Sequence, residues 1–237
     1  MFEALTRGPA AYQPSSGWPA WSVLPAAAGI IALSIVAGML AAWAFGLAAG
    51  MAAGQVASIL LTLLAGGLSQ ERREGVLALK APAQGWGVVP TALLPLFAAT
   101  ALWTAALIWL RPTAVYEDLR PFQELMQDDA VWIVLPVICL GAPLSEELLF
   151  RGFMFSGLAN SRLGLLGTAI LTTVLWTAMH AGYSAFGMVE VLGIGLYLSW
   201  LLVRTGSLWV TILCHAIYNS VVAAALLLVT LPQPAAG

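Results

Sequence analysis

The sequence predicts an all-α, polytopic bundle of about seven to eight transmembrane helices that encloses a cavity within the membrane. Apolar residues make up 61% of the 237 residues, and charged residues only 8%. Soluble domains carry about 25% charged residues. The mean hydropathy is +0.92. Several uncharged runs reach the ~20 residues that a helix needs to cross the hydrocarbon core, and the alternation typical of membrane-spanning strands is absent.

The uncharged runs divide the chain into successive helices. The run 21–68 is too long for one crossing, and Gly46, Gly50 and Gly54 mark the expected break between two helices. Further helices are expected at 88–110, 130–159, 163–180, 186–203 and 208–231. Pro143 should interrupt the helix 130–159, with Ser145 as the N-cap of its second half. These segments predict seven crossings.

Four regions follow from this division. They are a polar N-terminal segment (1–20), N-terminal transmembrane helices with their loops (21–129), a C-terminal transmembrane core (130–231) and a short tail (232–237).

The charged residues predict how the chain is oriented. The stretch 111–129 is expected to form an acidic outer loop that contains Glu117, Asp118, Glu124, Asp128 and Asp129. Most cations fall on the opposite side, namely Arg7, Arg72, Arg73, Lys80, Arg162 and Arg204, whereas only Arg111 and Arg120 accompany the acids. Since cytoplasmic loops are rich in Lys and Arg, we expect a cytoplasmic N-terminus. The Ala- and Gly-rich composition favours a bacterial inner or plasma membrane.

Two classes of function are disfavoured by composition. The net charge of -2 and the lack of a basic stripe disfavour a nucleic-acid partner. Cys139 and Cys214 lie in apolar segments and form neither a disulfide framework nor a CxxC metal pair.

A few ionisable residues lie in or beside apolar helices, where charge is costly and tends to mark function. They are Glu146, Glu147, Arg151, His180, Glu190 and His215, which include both histidines of the chain. Glu147 and Arg151 are spaced i and i+4 and can pair on one helix face. Glu146 is rotated about 100° away from Glu147, so the two glutamates should have different roles.

The same spacing recurs in the later helices. Trp176 and His180 are i and i+4, as are His215 and Asn219. If the chain turns near residues 160–162, His180 comes opposite residues 141–143, one to two turns from Glu146 at ~1.5 Å per residue. Glu146 and His180 can therefore meet if the helices pack side by side.

At this point the sequence resembles the CAAX-protease and bacteriocin-processing (CPBP, or Abi) family, which includes CAAX prenyl peptidases of the Rce1 kind. The motifs are Glu146-Glu147-Leu148-Leu149-Phe150-Arg151, Trp176-Thr177-Ala178-Met179-His180 and His215-Ala216-Ile217-Tyr218-Asn219. The resemblance covers roughly residues 130–225, and Trp176 stands where the family usually has Phe.

The resemblance implies an intramembrane endopeptidase with its active site in the cavity. Glu146 and His180 would activate a water, Glu147 would orient the site through Arg151, and His215 with Asn219 would hold the oxyanion. The expected partners are the lipid bilayer and a membrane-anchored or hydrophobic peptide or protein substrate. No cofactor is implied with certainty, because a divalent metal such as zinc on Glu146, His180 and His215 stays open beside glutamate-based hydrolysis.

Alternative interpretations remain at this stage. Glu147 with Arg151 is also consistent with a structural ion pair, and His215 with Asn219 with interhelical hydrogen bonding. Glu190 is interpreted as a cavity-lining or interfacial acid, and Gly187, Gly193 and Gly195 as sites of close helix packing.

Other functions were also weighed from the sequence. A rhomboid-like serine site would need glycine where Met154 stands, two residues before Ser156, and an aspartyl type would need membrane aspartates. The non-enzymatic alternatives are a scaffold or immunity protein and a transporter, although no inverted repeat is visible. The substrate stays open.

Overall fold

The computed structural model describes residues 2–7, 10–69, 72–128, 131–229 and 231–232. All regular secondary structure in these residues is helical. The helices are numbered in chain order as α1 (Phe2–Arg7), α2 (Ala20–Phe45), α3 (Leu47–Gly67), α4 (Arg73–Val76), α5 (Val88–Leu110), α6 (Pro112–Asp128), α7 (Val131–Ala159), α8 (Gly164–Ala178), α9 (Ala185–Thr205) and α10 (Leu208–Leu228).

The all-α transmembrane bundle predicted from the sequence is confirmed. Among the described residues, six helices are long and apolar enough to cross a membrane: α2, α3, α5, α7, α9 and α10. The seventh apolar helix, α8, has 15 residues and spans about 22 Å, which is less than the ~30 Å hydrocarbon core. Six long helices and one short helix thus replace the seven full crossings that the sequence predicted.

The first long apolar run breaks where the glycines indicated. Gly46, with a φ of 90°, separates α2 from α3, and the two helices then pack closely against each other. This pair forms one wall of the bundle beside α7.

The acidic stretch 111–129 was predicted as a loop, and this prediction is wrong for its described part. Pro112–Asp128 forms the amphipathic helix α6. Leu119, Phe122 and Met126 lie at helical spacing and pack in a common apolar cluster, while the charged side chains of Glu117 and Glu124 are exposed. The high polarity of the stretch as a whole obscured the helical spacing of these apolar residues. Asp129 lies outside the described residues.

Helix α7 is continuous through Pro143, so the predicted interruption is replaced by a change of winding. Two π-helical stretches, Val137–Gly141 and Glu147–Met154, flank a short α-helical stretch that contains Pro143. The predicted N-cap role of Ser145 is also wrong, because its hydroxyl donates a hydrogen bond to the Ala142 carbonyl within the helix at 3.0 Å. π-Helical turns often occur at functional sites.

The later helices follow the prediction with one shift that affects the site. Helix α8 ends at Ala178, so His180 lies in the turn that follows rather than on the helix. Helices α9 and α10 fall close to the predicted segments 186–203 and 208–231.

The N-terminal segment packs onto the bundle. The Ala11 and Tyr12 N–H groups donate to the Val203 carbonyl at 3.0 and 3.1 Å, and the Tyr12 ring meets Phe155 edge-on. In the predicted tail, residues 233–237 lie outside the described part of the chain.

Candidate active site

Glu146 lies where α7 passes from its α-helical stretch into the second π-helical stretch. Trp176 of α8 donates its indole N–H to Glu146 Oε2 at 2.6 Å. The Glu146 side chain is only partly buried and faces a cavity. The hydrogen bond from Trp176 therefore holds Oε2 of the carboxylate and does not engage Oε1.

His180 is oriented by the backbone of the same tryptophan. Its Nδ1 lies 3.0 Å from the Trp176 carbonyl oxygen. Because a carbonyl can only accept, Nδ1 carries the hydrogen, and Nε2 of the neutral ring keeps its lone pair. The two rings are 4.8 Å apart between centroids at 67°. Trp176 thus holds both the acidic and the basic side chain.

A cavity of about 460 Å³ lies between α2, α3, α7 and α8. Glu146, Trp176 and His180 line its inner wall. Its opposite wall, from α2 and α3, is mainly apolar and glycine-rich, with three polar side chains: Ser34, Gln55 and Ser58.

Glu147 and Arg151 form the ion pair that their spacing predicted. Both side chains are fully buried, and Arg151 Nη1 donates to Glu147 Oε1 at 3.0 Å. Arg151 Nη2 donates to the Gly195 carbonyl of α9 at 3.1 Å. As expected from the helical rotation, Glu147 points into the protein, whereas Glu146 faces the cavity.

His215 joins this buried pair from α10. Its Nδ1 lies 3.1 Å from Glu147 Oε1, so Nδ1 donates to the carboxylate. Its ring meets Trp176 edge-on at 5.7 Å between centroids, and the Arg151 guanidinium stacks 4.4 Å over Trp176. Trp176 therefore joins the buried ionic cluster to the cavity wall.

Asn219 has a partner on α7. Its Nδ2 donates to the Ile138 carbonyl at 3.0 Å. In the first π-helical stretch, the Ala142 N–H bonds to the Val137 carbonyl, and Pro143 has no N–H to offer. The Ile138 carbonyl thus lacks a helical donor, and Asn219 supplies one.

The structure therefore divides the predicted site residues into two sets. Glu146, Trp176 and His180 share the cavity, whereas His215 and Asn219 are not among its lining residues.

The glycines of α9 match the packing prediction in two of three places. A Cβ added at Gly195 would lie 2.8 Å from Trp176 Cε3 and 2.9 Å from Arg151 Nη2, and one at Gly187 would overlap Asp118. Nothing lies within 4 Å of a Cβ at Gly193. Gly195 is thus the position on α9 that lets the helix approach the site.

The three side chains considered as metal ligands, Glu146, His180 and His215, do not all face the cavity. Glu146 and His180 line the cavity, but His215 turns its Nδ1 to Glu147 behind Trp176. Within the described ranges, no three His, Cys, Asp or Glu side chains are grouped so that they could hold a metal ion. The arrangement does not fit the zinc set considered from the sequence.

Sequence reasoning missed the anchor of the His180 turn. Asp118 of α6 accepts hydrogen bonds from the Ser184 N–H at 2.5 Å and the Ser184 hydroxyl at 2.7 Å, at the N-terminus of α9. In this turn, burial first and then the nearby carboxylates, among them Glu146, raise the pKa of Tyr183 above its ordinary value. Since Asp118 and Ser184 are far apart in sequence, no local pattern indicated the contact.

Glu190 lies outside the cavity lining. It accepts a hydrogen bond from the Tyr218 hydroxyl at 3.2 Å.

The segment that holds Glu146, Trp176 and His180 is also covered by a match to a protein family. Residues 128–221 match the family model described as type II CAAX prenyl endopeptidase Rce1-like. The C-terminal region of this chain is thus similar to the Rce1-like endopeptidases. The matched region contains all three motifs, whereas α2, α3 and α5 lie outside it.

A curated relative supports the same region of similarity. The UPF0177 protein YxdF of Lactococcus lactis subsp. lactis (strain IL1403) is 29% identical over 91 residues, which cover 36% of this chain and 49% of YxdF. The chain thus spans about half the length of this relative. No solved structure matches the chain. Together with the six long apolar helices, the match describes an integral membrane protein related to a protease family.

Proposed function

We propose that this protein is an intramembrane endopeptidase in which Glu146 and His180 activate one water. The observation that carries the proposal is the shared cavity, where Trp176 orients both side chains through its indole N–H and its carbonyl. A carboxyl group and an imidazole on one wall are suited to general base and acid chemistry.

The proposed reaction is hydrolysis of a peptide bond. Glu146 Oε1 accepts a proton from water as the water oxygen bonds to the peptide carbonyl carbon, and the carbonyl electrons move onto the oxygen. The oxyanion then re-forms the carbonyl, the C–N bond breaks, and the proton passes to the leaving nitrogen. His180 Nε2 can accept a hydrogen bond from the same water and hold it in line. The products are a carboxylic acid and an amine.

The buried cluster behind the cavity acts by positioning. Glu147, Arg151 and His215 lock the Trp176 ring between a guanidinium face and an imidazole edge. A catalytic group must stay close to its productive geometry, so a rigid support increases the rate. This assigns the adjacent glutamates to different tasks: Glu146 to chemistry and Glu147 to support.

The substrate is proposed to be a hydrophobic or membrane-anchored peptide or protein. Ile35, Met39 and Leu47, on α2 and α3, line the cavity and are at least half exposed. These apolar side chains favour entry of an apolar segment from the bilayer. The Rce1-like match suggests a C-terminal prenylated cysteine motif as the first substrate to test.

We propose hydrolysis without a metal ion. Support comes from His215, whose Nδ1 bonds to Glu147 rather than facing the cavity. Peptidase activity in purified protein should therefore survive dialysis against 1,10-phenanthroline and EDTA. A loss that added zinc reverses would contradict this assignment.

The proposed location is the inner or plasma membrane of a bacterium, with the N-terminus in the cytoplasm. The cation-rich segments meet at one end of the bundle, where Arg204 Nε donates to the Leu5 carbonyl and the Ser207 hydroxyl donates to the Lys80 carbonyl. This clustering supports a cytoplasmic side rich in cations. Labelling of cysteines introduced at Arg162 and at Glu117, in intact cells, should modify only the second position.

The function is tested by cleavage in detergent. The probes are a fluorogenic farnesylated peptide with a CAAX C-terminus, the same peptide without farnesyl, and a transmembrane-segment peptide. Wild type and Glu190→Gln should cleave at least one probe, and Glu146→Gln should not. Glu190→Gln is the matched control, because it also neutralises a glutamate in an apolar helix while keeping an acceptor for Tyr218. Equal turnover by Glu146→Gln would refute the catalytic assignment, and binding without cleavage would favour a scaffold.

A further inference from the structure

Gln55 brings a carboxamide to the cavity from the N-terminal half of the chain. It lies near the middle of α3 and is the only Asn or Gln in α2 and α3. Its side chain lines the same cavity as Glu146 and His180. A polar group at the centre of a membrane helix is costly unless it has a hydrogen-bond partner or a function.

Gln55 has no such partner among the residues that the structure describes. Across the described residues, its carboxamide makes no hydrogen bond, whereas the nearby Ser34 hydroxyl returns to the Ile30 carbonyl at 2.7 Å. The amide is also closely seated, since a Cβ at Gly141 would overlap Gln55 Oε1. The oxygen thus faces the π-helical stretch of α7, and the nitrogen lies farther from Gly141. The N–H groups have no acceptor among the described residues, and the side chain lines the cavity.

Asn219 and His215, the residues expected to hold the oxyanion, each use one hydrogen-bonding group elsewhere in the protein. Asn219 Nδ2 donates to the Ile138 carbonyl, and neither Asn219 nor His215 lines the cavity. Since His215 Nδ1 donates to Glu147, its Nε2 is a donor only when the ring is a cation, beside the Arg151 guanidinium. Peptide hydrolysis needs a donor aimed at the developing oxyanion, and Gln55 is a neutral donor that is already in the cavity.

We propose that Gln55 is a further catalytic residue, whose Nε2 donates to the substrate carbonyl oxygen as it becomes the tetrahedral oxyanion. This inference rests on the proposed peptidase function. It places one catalytic group on α3, outside the Rce1-like region 128–221, so α7 to α10 alone form an incomplete site. The oxyanion would then be held from the wall opposite Glu146.

The test uses the full chain in detergent with Gln55→Leu and Gln55→Met. Both variants remove an unpaired amide from an apolar helix, so each should melt at or above the wild-type temperature. Thr62→Val is the matched control, because it also removes a polar group from α3 but lies outside the cavity lining. A purely structural role for Gln55 would instead lower the melting temperature.

Two readouts separate this inference from the proposed function. The turnover rate kcat on the fluorogenic peptide should fall about 100-fold in both Gln55 variants, as when one oxyanion donor is lost. The KM and the affinity for the intact peptide should stay within about threefold of the wild-type values. The affinity for a phosphonate analogue of that peptide should fall in parallel with kcat.

The possible outcomes decide between the two claims. Wild-type cleavage with equal kcat in the Gln55 variants overturns the role of Gln55 and leaves the peptidase proposal standing. A wild-type chain that binds the phosphonate through Gln55 without cleaving the peptide supports the donor and overturns the peptidase proposal. A wild-type chain that neither cleaves the peptide nor binds the analogue overturns both.

Discussion

Replacing Gly195 with alanine should disturb the site without touching a catalytic group. Gly195 packs against Trp176 and Arg151, and its carbonyl accepts from Arg151 Nη2. An alanine Cβ would lie 2.6 Å from Thr173 Cγ2, 2.8 Å from Trp176 Cε3 and 2.9 Å from Arg151 Nη2. Since carbon atoms pack at about 3.5 Å or more, the Thr173 methyl must move by roughly 0.9 Å and the indole by roughly 0.7 Å relative to α9.

The expected energies follow from that overlap. Overpacking costs about 1–3 kcal/mol, and Gly→Ala in a helix returns about 1 kcal/mol. Gly193→Ala should gain only the stability that comes from the higher helix propensity of alanine, because nothing lies within 4 Å of its added Cβ. Gly195→Ala should therefore be about 1–3 kcal/mol less stable than Gly193→Ala.

Gly195→Ala should also lower the turnover rate, because it displaces Trp176. Its 2.6 Å hydrogen bond orients Glu146, and a bond to a charged group contributes about 1.5–3 kcal/mol. Losing about half of the upper value lowers kcat roughly tenfold. The assays are unfolding in detergent and cleavage of the fluorogenic peptide. Equal stability and equal kcat for the two alanine variants would refute the packing argument.

Three further substitutions test the supporting contacts. Arg151→Met should destabilise the protein by about 3–5 kcal/mol, because it leaves the buried Glu147 carboxylate with one partner fewer. Adding Glu147→Gln should recover part of that loss. An unchanged unfolding midpoint in Arg151→Met would contradict the expected destabilisation. Asn219→Ala should lower the stability by about 1–3 kcal/mol, because it leaves the Ile138 carbonyl of α7 without a donor. Adding Pro143→Ala should restore the stability by supplying a backbone N–H. Thermal melts that show no such recovery would contradict this explanation. Trp176→Phe keeps the ring but deletes the donor, so kcat should fall about tenfold with KM unchanged, whereas wild-type kinetics would show that the indole N–H is dispensable.

The sequence was sufficient where one local rule decided the structure. The i and i+4 spacing predicted the Glu147–Arg151 pair, and the rotation between neighbouring residues predicted that Glu146 faces elsewhere. The apolar runs predicted the long helices, because their length is set by the membrane rather than by contacts with other segments.

The sequence was insufficient where contacts between distant segments determine the geometry of a helix or of the site. The amphipathic helix α6 was hidden by its charged face, and its role at Ser184 depends on Asp118, far away in sequence. The π-helical winding around Pro143 and the donor from Asn219 to Ile138 explain each other, but neither has a local signature. A lone glutamine in a long apolar helix did carry a signal, which only the cavity made interpretable.

The central claim is that Glu146 and His180 act on the same water, and a double-mutant cycle on kcat tests it most directly. Residues that act as a unit give strongly non-additive losses. We predict that Glu146→Gln combined with His180→Gln is no slower than the worse single variant. Multiplied losses in the double variant, or wild-type turnover in either single variant, would contradict the account.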